Sequence, residues 1–364
     1  MCTSLLYFDA ANHAYLGQTL EFAINEDFQV AFVPQGEDFS SSVEGFATLQ
    51  WRSSQAYLGI AMPSSLPEPG KPFEAKAMSV IGGINQAGLT FSLQAYPQAG
   101  GQDPVADAHV AMLRAADLGA WALGQFTTVA EVKQALETQA IFLTALAPLG
   151  GLKTPFHYSL HDASGASIVI EFHQGVRTVY DNPVGVMTNA PQFAWHLTNL
   201  NNYTFLSNVD HSKATFGQYE AEQPGAGIAK AGLPSSDTSV ARFVRAAFYA
   251  QYAEKQDSPD KAVQMVAHIM NNFDRPRGIA VDPPNEGSSH MHLQGQALDA
   301  VPTEFTCWTS ITDLSRKRLY VRDTGGMNYV SIDLEQLAKT VRAPRVMALA
   351  ALAPQPADLT AAFA

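Results

Sequence analysis

"MCTSLLYFDA", residues 1–10, sets the problem for this chain: one of only two cysteines in 364 residues stands directly after the initiator Met. Cys is small enough for the Met to be trimmed, and the mature chain then begins at Cys2 with a thiol and a free α-amine on one residue. A terminal α-amine has a pKa of ~7.7–8.0, so a useful fraction is unprotonated near neutral pH and acts as a base. Thiol and amine together form a self-contained nucleophile and base pair. The β-rich run that follows would hold the thiol on a rigid strand. Alone, a cysteine at position 2 carries no function, so the rest of the chain has to decide.

Outward from this run the pattern stays β-rich for about a hundred residues. "AYLGQTLEF", "FQVAFVP", "FATLQW" and "AMSVIGG" are short strand candidates separated by Gly, Pro, Asn and Asp turns. "GGINQAGLTFSLQAY" reads as a hairpin turning at Asn85 to Gly88. "DAHVAMLRAADLGAWALGQF" has apolar residues at helical spacing, and a second helix is expected from Thr128, with Glu131 in capping-box position. The period then returns to two: "FHYSLHDASGASIVIEFHQG" reads as a hairpin around Ala163 to Gly165, continued by "VRTVY" and "VGVMTNAP". The helices "TSVARFVRAAFYAQYAEK" and "DKAVQMVAHIMNNF" follow. The strands "EFTCWTSITDL", "RLYVRD" and "NYVSIDL" and an Ala/Pro-rich tail close the chain. No long polar linker or repeat interrupts this order. It predicts one domain over 1–364, with two sheets between helical layers, a core over about 2–335 and a tail over 343–364.

Composition narrows the function classes. Charged residues make up 15%, the net charge is −12, and no basic stripe stands out, which argues against a nucleic-acid surface. Cys2 and Cys307 offer neither a disulfide framework nor metal-ligand spacing. No apolar run reaches the ~18 residues of a membrane span. No basic segment followed by an apolar stretch marks a leader, which places the protein in the cytoplasm as written, or in the periplasm where a leader has been removed.

Several stretches follow one another in a familiar order: "MCTSLLYFDA", "LGQTLEF", "GGINQAGLTFS", "VMTNAPQFAWHLTNLNNY", "GLPSSDTSVARFVRAAF", "NNFDRPRG" and "EFTCWTSITDLSRKRLYVR". In these the chain resembles the choloylglycine hydrolase family of conjugated bile acid hydrolases and penicillin V acylases. The "TNAP" to "NNY" stretch is most similar to its Gram-negative branch, which also holds acyl-homoserine-lactone acylases. The resemblance covers residues 2 to about 335 and implies an αββα N-terminal nucleophile fold of class α+β, with two antiparallel sheets sandwiched by helices. It implies hydrolysis of a linear amide without metal or organic cofactor, and a homotetramer as the assembly. Cys2 matches the nucleophile, Asn189 the oxyanion donor and Arg242 the active-site arginine. Unaided, Asn189 reads as a turn residue before Ala-Pro, and Arg242 as a surface helix charge.

Three positions depart from the family. Where relatives read Gly-Arg-x-x-Asp, "GQTLEF" places Gln18 and Glu21. Glu21 keeps the carboxylate expected to hold the α-amine. Gln18 gives up a guanidinium beside the thiol, along with its help toward the thiolate. Ala95 stands where many relatives carry Asn or Tyr, leaving only a backbone N–H for the oxyanion. A competing expectation follows from Gln18: a catalytically impaired relative that binds acyl ligands.

Other candidates read as structural. No G-x-S-x-G elbow occurs. His290 and His292 in "SSHMHL" lack a neighbouring third ligand. His157, His161 and His173 fall on sheet faces, and Cys307 reads as a small buried hydrophobe. "GAGIAKAG" lacks the ending of a phosphate loop. For the acyl pocket the matching positions are Leu20 and Phe22, with Met62 from a loop. Such walls suit an apolar or aryl acyl group. The resemblance tilts the substrate toward penicillin V or acyl-homoserine-lactone amides, with conjugated bile acids as the alternative.

Overall fold

The opening run is a strand, β1 (Cys2–Phe8), paired antiparallel with β2 (Ala14–Phe22) so that Cys2 faces Leu20 and Ser4 faces Gln18. Side chains alternate across a strand, and here both faces are covered. Leu5, Tyr7 and Tyr15 pack in one apolar cluster with helical residues, while Cys2 and Leu20 belong to another. A computed structural model of the chain describes residues 1–23, 27–66, 70–100, 107–282, 301–302 and 304–352.

β1 and β2 lie within a six-stranded sheet. Its order is β10 (Val186–Met187), β1, β2, β11 (Phe305–Asp313), β12 (Arg318–Asp323) and β13 (Val330–Asp333). An eight-stranded sheet runs β9 (Val176–Asp181), β8 (Ser167–His173), β7 (Phe156–His161), β6 (Thr90–Ala95), β5 (Met78–Asn85), β4 (Tyr57–Pro63), β3 (Gln29–Val33) and β14 (Arg345–Ala348). Every pairing in both sheets is antiparallel.

Helices cover the two outer faces. α4 (Ser239–Tyr252) and α5 (Pro259–Met270) pack on the six-stranded sheet through Phe243, Ala246, Val266 and Met270. α5 comes so close to β2 that a Cβ on Gly17 would stand 2.5 Å from Met270 Sδ. α1 (Leu118–Gln125) and α2 (Val129–Ala135) lie over the eight-stranded sheet, where a Cβ on Gly119 would stand 2.8 Å from Phe91 Cε1. The α+β, four-layer αββα arrangement expected from the sequence is the one present. Among the described residues no helix is long and apolar enough to cross a membrane.

The local signals acted as their chemistry requires. Asn85 Oδ1 accepts from the N–H groups of Ala87 and Leu89, and Gly88 takes φ +88°, closing the β5–β6 hairpin. Thr128 and Glu131 form the reciprocal capping box of α2.

Three expectations need correction. Residues 107–126 are not one helix: Ala111–Arg114 is a strand, pairing in parallel with Ala47–Thr48, and the helix starts only at Leu118. Asp117 ends the strand by gripping Arg114 at 2.7 Å and accepting from Ser41 Oγ at 2.6 Å, a tertiary arrangement that helical spacing does not register. The tail, expected to lie outside the core, forms a strand at its start. Val346 and Met347 pair with Ala31 and Val30, covering an edge of the larger sheet. The run 328–334 gives β13 over only Val330–Asp333, and an unforeseen helix, α6 (Leu334–Thr340), follows with Asp333 as its cap. Strand β4 and the helix α3 (Phe193–Asn199) also escaped the sequence reading.

Candidate active site

β1 and β2 present their two faces to different surroundings. On the inter-sheet face the Cys2 thiol meets a small, largely apolar cavity. Its walls include Leu20, Phe22, Met62, Phe28 and Phe156, together with Met1 and Glu21. Ala95, at the end of β6, closes the cavity beside the sulfur. Gln18 lies on this same face, two residues along from Leu20. Its Oε1 accepts from Ser92 Oγ at 3.0 Å, and its Nε2 points at the Ile81 carbonyl, 3.5 Å away. The side chain fits there because Gly82 is bare: a Cβ on it would stand 2.4 Å from Gln18 Oε1.

The helical face holds the charges. Arg242, placed on α4 one turn after the Thr238 cap, is completely buried, so the reading as a surface charge is overturned. Its Nη1 donates to the Cys2 carbonyl and, at 2.7 Å, to Thr3 Oγ1; its Nη2 donates to Asn189 Oδ1 at 2.7 Å, and its Nε to the Asp237 carbonyl at 2.9 Å. Arginine stays a cation even here. Helix α4 thus ties the peptide of Cys2 to the Asn189 loop.

Asn189 stands between nucleophile and arginine. Its Oδ1 accepts from the Cys2 N–H at 2.9 Å, and its Nδ2 donates to the Ala95 carbonyl at 2.8 Å. The guanidinium and the peptide N–H can only donate, so the orientation of the amide follows from its partners. One Nδ2–H is used by Ala95, and the amide carries a second.

Glu21 follows Leu20 on β2 and therefore projects to the opposite face, where β11 bulges beside it. The sequence reading gave its carboxylate the α-amine. With Met1 in place, the Met1 ammonium donates to the Glu21 backbone carbonyl at 2.6 Å and pairs with Glu304 Oε1 at 2.8 Å. The Glu21 carboxylate accepts from Thr306 Oγ1 at 3.3 Å, and its Oε2 is buried without a partner. Burial pushes this carboxyl up, against the pull of Arg242 and the terminal ammonium. Glu304 is steadied by Arg275 at 3.3 Å.

Burial also pushes the Cys2 thiol up. The terminal ammonium, the Ala95 N–H and Arg242 pull it back, while Glu21 adds to the rise. Cys2, Glu21, Asn189, Arg242 and Ala95 are therefore gathered at one place, with Gln18 two residues along from Leu20 on β2, held by Ser92. Sequence reasoning missed Glu304, Thr306, Ser239 and His196. Glu304 and Thr306 lie in the quoted "EFTCW" stretch and Ser239 stands three residues before Arg242, which was the available signal.

The other candidates stay structural. His157 and His161 are buried in β7, and His157 bonds Glu171 Oε2 at 3.3 Å and the Thr188 carbonyl at 2.9 Å. His290 and His292 lie outside the described residues. Among the described residues no three His, Cys, Asp or Glu side chains gather as metal ligands.

Residues 2–341 match the model of the linear amide C–N hydrolases, choloylglycine hydrolase family. The chain belongs to the choloylglycine hydrolase family. As a member it is a hydrolase of linear amides. It is 28% identical over 347 residues to the bile salt hydrolase/transferase of Lactiplantibacillus plantarum, covering 93% of this chain and 95% of that protein. It is 27% identical over 270 residues to the penicillin V acylase of Pectobacterium atrosepticum, covering 73% of this chain and 63% of that protein. In fold it is similar to a variant of the conjugated bile acid hydrolase from Clostridium perfringens, with a TM-score of 0.78 at 21% identity over 98% of this chain and 99% of the other.

Proposed function

We propose that this family member is an acylase that uses Cys2 as its nucleophile once Met1 is removed, and that it cleaves N-acyl amides of the penicillin V or acyl-homoserine-lactone kind. The observation that carries this reading is the convergence on one residue: the Cys2 thiol opens on the apolar cavity while its nitrogen lies 2.9 Å from Asn189 Oδ1. The freed amine takes the thiol proton, and sulfur attacks the amide carbonyl. The tetrahedral oxyanion draws on the Ala95 N–H and the second N–H of Asn189, a kind of donor worth about 3–4 kcal/mol. Collapse breaks the C–N bond, the amine leaves with the proton returned by the α-ammonium, and an acyl-thioester remains. Water, deprotonated by the same amine, then releases the acid and restores the thiol.

Leu20, Phe22 and Met62 supply the acyl pocket in this reading. Their apolar walls favour a short aryl or alkyl acyl group. Conjugated bile acids form the second reading, motivated by the naming of the Lactiplantibacillus relative as a bile salt hydrolase/transferase. The test is amine release from penicillin V, short- and long-chain acyl-homoserine lactones and glycine-conjugated bile acids, by protein shown by mass to begin at Cys2. Cys2→Ala is expected to lower turnover by at least about 10⁴-fold with circular dichroism unchanged. Equal turnover in that variant would sink the mechanism, and release confined to the bile acids would move the substrate to the second reading.

We further propose that the chain acts as one domain and assembles as a homo-oligomer, a tetramer in the first instance. The excursion after α3 carries the hairpin strands Lys213–Phe216 and Tyr219–Glu222 and leaves Phe205, Val209, Phe216 and Tyr219 at 56–69% exposure. An apolar arm of this kind suits burial against a second copy. Light scattering of the purified protein should give a mass near four chains, and a monomer would remove the proposal.

A further inference from the structure

Asn189 is anchored at its backbone as well as at its carboxamide. Its N–H donates to Ser239 Oγ at 2.9 Å, and its carbonyl lies 2.8 Å from His196 Nε2. The preceding Thr188 is held through its hydroxyl by Ser239, at 2.9 Å, and through its carbonyl by His157. A carbonyl only accepts, so the proton of His196 sits on Nε2. Burial pushes this imidazole down to about 4, which keeps it neutral near pH 7, and its Nδ1 is buried without a partner. The ring stacks on Phe243 at 4.5 Å and 13°. Phe243 belongs to α4, the helix that also supplies Ser239 and Arg242.

We propose that His196 is a positioning residue for the amide hydrolysis: a neutral Nε2–H donor to the Asn189 carbonyl that fixes the peptide from which the carboxamide reaches Cys2. The inference rests on the role proposed above for Asn189. That carboxamide has to satisfy the Cys2 N–H, Arg242 and the Ala95 carbonyl together, so a backbone shift breaks several contacts at once. A misplacement of about 1 Å at a reacting centre costs up to about 10²-fold in rate. Ser239 holds the N–H side of the residue, and His196 holds its carbonyl side.

Two variants separate the bond from the ring. His196→Gln keeps an amide N–H within reach of the Nε2 position and loses the stack. His196→Phe keeps the stack on Phe243 and loses the donor. With the amide that wild type cleaves fastest, His196→Gln should retain kcat within a few fold. His196→Phe should lose roughly 10- to 100-fold in kcat at unchanged KM. A kcat that follows the thermal midpoint of each variant, rather than the presence of the donor, would overturn the proposal.

A readout independent of turnover separates this inference from the proposed function. In protein labelled with ¹⁵N on asparagine, the side-chain signals of Asn189 are identified by their loss in Asn189→Ala. They should move in His196→Phe and stay in His196→Gln. If wild type cleaves none of the amides, the proposed function fails while these signals still decide the positioning role: unmoved signals in His196→Phe overturn it. Imidazole ¹⁵N shifts placing the His196 proton on Nδ1 in the wild type would overturn it too.

Discussion

The two faces of the β1–β2 pair differ in kind although they are one residue apart along the chain. Toward the other sheet stand the Cys2 sulfur and Leu20 at the cavity and, next to them, the neutral amide of Gln18. Toward the helices stands Arg242, while Glu21 and Met1 reach the cavity rim as well, with Glu304 and Arg275 behind them. The formal charges of the site bear on the backbone and nitrogen of Cys2 and, through the terminal ammonium, Glu21 and Arg242, on its thiol as well. This arrangement suits an enzyme whose base is its own α-amine. In the proposed mechanism the charged groups arrange the amine and Asn189, and the apolar walls receive the acyl group.

The comparison is sharpened most by substituting matched positions on the two faces. Arg242→Met removes the buried cation and leaves Asn189 Oδ1, the Cys2 carbonyl and Glu21 facing one another without it. Breaking a buried charge arrangement of this kind costs about 3–5 kcal/mol. The urea midpoint should fall accordingly, and turnover with it. Gln18→Leu, equally buried, gives up one neutral bond from Ser92 and should cost about 1 kcal/mol. If the two variants lose similar stability, the contrast between the faces is wrong. Gln18→Arg probes the same contrast from the other side. A cation placed near the thiol should speed alkylation of Cys2 by iodoacetamide at pH 7.

A smaller effect is read from pH. Burial pushes the Cys2 thiol above its ordinary value and Cys307 up to about 12. Alkylation follows the thiolate, so labelling of Cys2 with Met1 in place should keep rising past pH ~8.5, and Cys307 should stay unlabelled there. For stability, a thiol whose folded pKa is raised holds its proton longer in the fold than in the unfolded chain. Its contribution is fully present below the unfolded pKa and declines as pH rises above about 8.5. The urea midpoint at pH 10 should therefore lie below that at pH 7, and an unchanged midpoint would show that neither thiol is held as described.

Much of this was legible in the linear chain wherever the signal is local. The β-rich runs "TSLLYFDA" and "AYLGQTLEF", the Asn85 and Ala163–Gly165 turns and the Thr128–Glu131 cap each act within a few residues, and the structure has them where they were read. Helical spacing misled at 107–126 because the strand Ala111–Arg114 exists only through its partner at Ala47–Thr48, far away in sequence. The resemblance named the residues of the site, and the structure then showed which face each one serves. Burial of Arg242, the placing of the Met1 ammonium on Glu304 rather than on the Glu21 carboxylate, and the grip of His196 and Ser239 on Asn189 all join elements tens to hundreds of residues apart.

By itself, then, the sequence determined the layer order, the nucleophile candidate and the family, because periodicity, capping and motif order are written in neighbouring residues. The tertiary structure alone decided which charges meet the nucleophile's nitrogen and which surface meets its sulfur. Those contacts depend on how β1, β6, α3 and α4 pack in space, and no spacing along the chain encodes that distance.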